Sequence, residues 1–465
     1  MAEIPASPRL DDLINDYQGL EGAPEGEAFV ATPDNIEQHT KRLTLRPGLK
    51  VALLSKPAPG AAVKACLRFH FGTEKALAGH AAALELVPAM LMRGTTDRDH
   101  QELRDEIDRL QCRIDVTGVL GTLYASIWSD RTHFIKALGL LAEIVQRPAF
   151  SVSELEILLK EQLASLEQGL SDPGWLGAIA RQRAMNPWPV DSVHYVPTLE
   201  ERMERLKGVT PEVLKELHAQ YYGASNVEIA VVGDFDAEEV RATLTELFGS
   251  WESPAPYERI GKPYRPIKAA CEKILVRGNP QAHVAMGIVF PMCQDDPDYP
   301  AMRLAGRILG PDPTGRLMSR LRNKEGLSYG VFASVSVPVR DQKGSLTAAF
   351  LTAGASCASQ DATKALSAMR EEIGRWIAEG VTEEELHQGK ERMALMFEES
   401  LAYDLTLAGL LADGLEWDRT LQFEVELLEK IERLTTADVQ RVLEKRLGGL
   451  PFIEVITGDL EQEQE

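Results

Sequence analysis

Cysteine is scarce in this chain of 465 residues: there are five, Cys66, Cys112, Cys271, Cys293 and Cys357. The number is odd, the spacing is wide and no Cys-x-x-Cys pair occurs, which argues against a disulfide framework and against a thiolate zinc site. All five are expected to be buried, acting as small apolar residues. No run of about 18 apolar residues exists, so no membrane-spanning helix is expected. The start MAEIPASPRLDDLINDYQG lacks the basic and apolar segments of a leader. On that reading the chain is cytoplasmic if complete as written, and periplasmic if it is half of a longer exported precursor. Positive charge is also in deficit, with 50 Lys and Arg against 71 Asp and Glu and a net charge of −21. Such a field repels nucleic acid and anionic lipid. A basic surface or a cationic peptide is the better-matched partner.

Several chemistries lack their residues. No Gly-x-Gly-x-x-Gly or Walker-type Gly-Lys-Ser/Thr follows a strand pattern, and no Gly-x-Ser-x-Gly elbow or nucleophilic cysteine context is present. Two histidines on one helix face, four residues apart, would let both reach one ion; the nine histidines offer no such pair. His387 stands among Glu383, Glu384, Glu385 and Glu391, a mixture that reads as a solvated helix face. His80, His100 and His133 each stand alone on helical segments. No metal site is expected in this chain.

What the sequence does contain is a folded protein's composition, 44% hydrophobic and 26% charged, long enough for more than one core. Residues 1–38 are acidic, rich in Pro and Gly, and read as an extended arm. Residues 39–252 alternate strands with helices: a hairpin about Pro47-Gly48, a strand in AVKACLRFHFG, helical periodicity over 79–110, strands in CRIDVTG and TLYASIW, helices over 131–170, then the strand NVEIAVVGD. Residues 253–268 carry Pro254, Pro256, Pro263 and Pro266 and read as a linker. Residues 269–465 repeat the order. Val209-Thr210 corresponds to Leu434-Thr435 and Gly233-Asp234 to Gly458-Asp459, both displaced by 225 residues, which marks a duplicated unit. The expected fold class is therefore α+β, with two homologous sandwich domains, each a mainly antiparallel sheet with helices on it.

Met90-Leu91-Met92-Arg93-Gly94-Thr95, followed by Asp97 and Arg98, resembles the segment after the zinc motif of the pitrilysin/insulinase family of metallopeptidases. The resemblance implies His-x-x-Glu-His at residues 85–89, where this chain has Glu85-Leu86-Val87-Pro88-Ala89. Glu85 and Ala89 thus occupy the two histidine positions and Pro88 that of the general base. The third ligand position, counted from Phe150-Ser-Val-Ser-Glu154, falls on Ser165. Every zinc ligand type is missing, and a proline inside a helix costs roughly 3 kcal/mol in addition.

Arg322-Asn-Lys-Glu-Gly-Leu-Ser-Tyr329 resembles the family's Arg-x-Lys-x-Gly-Leu-x-Tyr element, whose arginine and tyrosine reach toward the zinc-bound substrate. The resemblance covers about residues 40–459. It is closest to the zinc-free half of two-part, processing-peptidase-like members. It implies a heterodimer in which this chain walls a chamber, binds peptide and supplies Arg322 and Tyr329 in trans, while a paralogous subunit or half carries the zinc. No autonomous activity is then expected. The alternative is a catalytically inactive structural or assembly protein of the same fold.

Overall fold

The computed structural model describes residues 29–310, 314–340, 344 and 346–460. Most of the acidic arm therefore lies outside the described residues, and regular structure begins earlier than expected. Helix α1 (Pro33–His39) opens on Thr32, whose side chain accepts from the Asn35 amide, with proline in its first turn. Thr32-Pro-Asp-Asn35, part of the stretch that reads as an extended arm, is thus a helix start, because threonine caps and proline opens a first turn.

The first half contains strands β1 (Lys41–Arg46), β2 (Leu49–Ser55), β3 (Ala62–His70), β4 (Arg113–Val119), β5 (Thr122–Asp130) and β6 (Val227–Gly233). Its main helices are α2 (Ala81–Leu91), α3 (His100–Arg109), α4 (Phe134–Gln146), α5 (Val152–Gly169), α6 (Pro173–Met185), α7 (Leu199–Lys207), α8 (Pro211–Tyr221) and α9 (Ala237–Phe248). The second half has β7 (Ala270–Leu275), β8 (Gln281–Pro291), β9 (Gly330–Ser336), β10 (Ala348–Ala358) and β11 (Ile453–Gly458). With them go α10 (Tyr299–Leu309), α11 (Ala362–Glu379), α12 (Glu383–Ala402), α13 (Asp404–Trp417), α14 (Gln422–Glu432) and α15 (Thr436–Leu447).

The strands form a six-stranded sheet, β1-β2-β6-β3-β5-β4, and a five-stranded sheet, β7-β11-β8-β10-β9. All neighbours are antiparallel except β2 with β6 and β7 with β11. The expected mainly antiparallel α+β architecture holds, and the parallel pair falls at the matching place in both sheets. The residues that mark the 225-residue repeat occupy equivalent positions: Thr210 caps α8 and Thr435 caps α15, each through its side chain. Gly233 and Gly458 end β6 and β11 at φ 134° and 155°, a region open to glycine.

Strand alternation sends side chains to two different cores. In β2 and β6, Leu49, Val51, Leu53, Val227, Ile229 and Val231 face the helices of their own half. Ala52, Leu54, Ala230 and Val232 face the other way, onto Leu407, Ala408, Leu411 and Ala412 of α13. The second sheet mirrors this: Val284, Met286 and Ile288 of β8 meet their own helices. Ala285, Val289, Ile453 and Val455 meet Ala180 and Met185 of α6. Each half therefore lends one helix to the back of the other half's sheet.

The segment 253–268 is tied down along its length. The Glu258 amide donates to the Gly72 carbonyl at 2.9 Å, Tyr264 N–H to Leu346 O at 2.7 Å, and Ala348 N–H to Lys262 O at 2.7 Å. The cysteines depart from expectation. Cys357 is buried, Cys66, Cys112 and Cys293 are half-buried, and Cys271 is exposed, because β7 is an edge strand whose residues are almost all exposed.

Candidate functional site

Helix α2 packs on β4 and against α5 and places the degenerate positions. Glu85 is exposed and bridges to Arg202 of α7 at 3.0 Å. Pro88 is buried inside the helix and packs on β4 where Gly118 has no side chain; a Cβ there would come within 2.8 Å of the proline ring. Ala89 is half-buried, and Ser165 is exposed on α5. This donor set does not fit zinc: one carboxylate is engaged with an arginine, and the remaining positions have a hydroxyl or no donor. Among the described residues no group of three or more His, Cys, Asp or Glu is placed to hold a metal ion.

The segment that carries the resemblance is held by other chemistry. Arg93 reaches α5, pairing with Glu154 at 3.2 Å and Glu161 at 2.6 Å. His100 also lies 3.1 Å from Glu154. The Thr95 hydroxyl donates to Glu143 of α4 at 2.6 Å, and Arg98 pairs with the same carboxylate. Gly94, at φ 116°, lets the chain turn between the two. Residues 93–98 thus stitch α2 to α4 and α5 whether or not zinc is bound. His387 is exposed, with Glu391 at 3.5 Å one turn on.

The Arg322–Tyr329 element lies in the second half. Arg322 sits in a single π-helical turn, Ser319–Lys324, of a kind that often marks functional sites and that no sequence periodicity announced. The turn is clamped by Arg320, which meets Glu325, Glu371 at 3.0 Å and Glu372 at 3.3 Å. The hydrogen bond to Glu325, opposed by burial, holds the guanidinium above its usual pKa. Leu321 and Leu327 anchor it in the core, and Gly326, at φ 63°, turns the chain out. The Ser328 hydroxyl donates to Ser356 O at 2.7 Å and the Tyr329 amide to the same carbonyl at 3.0 Å.

On this fixed frame Arg322 is exposed and Tyr329 is 66% exposed. Neither side chain has a hydrogen-bond or ionic partner among the described residues. Tyr329 stands directly before β9, the edge strand of its sheet. The structure places Arg322 and Tyr329 beside the second sheet, and Glu85, Pro88, Ala89 and Ser165 on helices of the first.

Sequence reasoning missed two buried polar groups behind the sheets. Behind the first, Arg68 of β3 donates to Asp413 and, at 3.1 Å, to Glu416 of α13. His70 lies 2.8 Å from Glu228 and stacks on Tyr257 with ring centroids 5.5 Å apart. Behind the second, Arg181 of α6 sits near His283 and Phe332. Their only signal in sequence is a charged residue on an otherwise apolar strand, or on a helix of even polarity.

Comparison with known proteins bears on this geometry. Residues 208–393 match the family model described as "Peptidase M16 inactive domain". The family resemblance is thereby established. It holds at the level of insulinase-like peptidases, and the matched stretch includes Arg322 and Tyr329. The chain is similar to an uncharacterized zinc protease of Streptomyces coelicolor, 22% identical over 438 residues, covering 91% of this chain and 90% of that protein. It is also similar to a non-peptidase homolog of Helicobacter pylori, 23% identical over 257 residues, covering 55% and 56%. The fold matches the crystal structure of a peptidase M16 inactive domain from Pseudomonas fluorescens. That match has a TM-score of 0.79 at 22% identity and covers 92% of this chain and 100% of that one. The matched fold accounts for the sheet topology, and positions 85, 88, 89 and 165 lie outside the stretch 208–393 that the family model matches.

Proposed function

We propose that this chain is the zinc-free half of a metalloendopeptidase pair. It forms a wall of the chamber, docks an extended peptide by strand addition, and presents Arg322 and Tyr329 to the reacting carbonyl. Metal, water and general base come from a paralogous partner that carries His-x-x-Glu-His. The observation that carries this reading is an exposed arginine and an exposed tyrosine, held by a rigid frame at the mouth of an unpaired edge strand. A guanidinium and a phenol are donors suited to an oxyanion, and an open edge offers backbone groups to a peptide. A structural role would leave such a frame without purpose, because neither side chain supports the fold.

The test is to purify the chain from its native source, identify by mass spectrometry what accompanies it, and reconstitute the pair. The isolated chain is expected to be inactive. In the pair, Tyr329→Phe or Arg322→Ala is expected to lower kcat by about 10²-fold, the usual cost of one oxyanion donor, with Tm and complex formation unchanged. Unaltered turnover in both variants would remove the two residues from the chemistry and leave an architectural protein.

A further inference from the structure

The two helices lent between the halves meet their host sheets differently. Under α13, the half-buried Arg68 finds Asp413 and Glu416 on the helix and the Gly409 carbonyl at 3.2 Å. Under α6, Arg181 is only 6% exposed and has no carboxylate partner among the described residues. One Nη donates to the Ala353 carbonyl at 3.2 Å, Nε has no partner, and the guanidinium lies 5.5 Å from the centre of the Phe332 ring.

None of its neighbours pairs with it as an anion. His283 is held neutral, its pKa pushed down to about 4 by burial and by the Arg181 charge, with Asp172 opposing. Asp172 is engaged in capping α6 through the Trp175 amide at 2.8 Å. The Ser356 hydroxyl stands 3.4 Å from His283 Nδ1. A guanidinium removed from water without an anion is costly, and a methionine could fill much the same space without that cost.

The surroundings are open on one side. Helix α6 covers β8 and β11, but on the same face of β9 Gly330, Phe332 and Ser334 are exposed. Phe332 is 39% exposed and leans over β10 where Gly354 leaves room; a Cβ there would lie 2.4 Å from the ring. The half-exposed ring is therefore the cover between Arg181 and solvent, beside the edge along which a peptide would lie.

We propose that Arg181, with the Ser356 hydroxyl, forms a carboxylate subsite beneath the Phe332 ring for a peptide docked along β9, taking an acidic side chain or a free carboxyl terminus. This rests on the peptide-docking reading above and adds a local preference that the acidic surface of the chain opposes elsewhere.

The experiment uses the full chain and three short N-acetylated peptides alike except in charge, titrated calorimetrically: one with a central glutamate and an amidated end, one with glutamine and a free carboxylate, and one neutral. One of the charged peptides is expected to bind about tenfold or more tightly than the neutral one, as for a charge-assisted hydrogen bond, and which one identifies the source of the carboxylate. Arg181→Met is expected to abolish that preference without lowering Tm. Should that variant fail to fold, Phe332→Ala, which uncovers the guanidinium, is expected to strengthen the preference, and an unchanged preference would count against the subsite.

Equal binding of all three peptides, or a preference that survives Arg181→Met, overturns the subsite and leaves peptide docking standing. If no peptide binds but acetate raises Tm in the wild type and not in Arg181→Met, the anion site stands and the docking reading falls. If acetate is also without effect, both fall.

Discussion

Leu411→Ala tests whether the two halves share their stability. Leu411 is buried on α13, against Ala52 and Leu54 of β2 and Ala230 and Val232 of β6, so its loss opens a cavity behind a sheet formed by the other half of the chain. Truncations of this kind cost about 2–5 kcal/mol. At about 3 kcal/mol the opening equilibrium rises roughly 10²-fold, a large fraction of a stability of order 5–15 kcal/mol. Hydrogen exchange read by mass spectrometry should show it. Amides of β2 and β6 are expected to exchange faster by about that factor, alongside those of the second half. Faster exchange confined to the helices of the second half, with β2 and β6 unchanged, would refute the claim that the exchanged helices weld the halves together.

The remaining expectations concern single sites. His283 is neutral in the native chain down to about pH 4, whereas an unfolded histidine takes a proton near 6.5. The unfolded state therefore binds more protons between those values, and stability falls as pH drops from about 6.5 to about 4, by at most about 3 kcal/mol. His283→Gln should flatten that fall in urea titrations at successive pH, and an identical pH profile would show that the imidazole is already solvated. Pro88→Ala restores a backbone donor in the interior of α2 at the expense of a ring packed on β4, so a net gain of about 1–2 kcal/mol is expected; a lower denaturation midpoint would mean the contact over Gly118 dominates. Elemental analysis of the purified chain should find no stoichiometric zinc and chelator should leave Tm unchanged, while bound zinc would reveal ligands outside positions 85, 88, 89 and 165.

Local signals were legible and long-range ones were not. Thr210 and Thr435 announced helix starts because a cap is written in the residue itself, and Gly233 and Gly458 marked equivalent strand ends for the same reason. The placing of positions 85–89 on one largely buried helix was legible because residues 90–95 fix their register. The exchange of α6 and α13 had no such marker: an amphipathic helix does not state which sheet it will cover. Arg181 looks like any arginine on a helix, and its lack of a counter-ion exists only once α6 lies on β8 and β11. Cys271 was misjudged because β-strand pattern alone does not reveal that β7 is left at an edge.

The corner around α2 has a physical reason to persist without its metal. In a zinc-bearing relative the ion would tie α2 to α5; here Arg93 makes that tie through Glu154 and Glu161, and Thr95 and Arg98 add a second through Glu143. Glu85 turns outward to Arg202, so the carboxylate is neither buried nor free. Pro88 fills the space above Gly118 with a buried apolar ring packed on β4. The helix is therefore held in place by contacts that need no ion. That combination fits the proposed reading, in which the surface keeps a fixed form and the chemistry falls to Arg322 and Tyr329, whose side chains have no partner among the described residues.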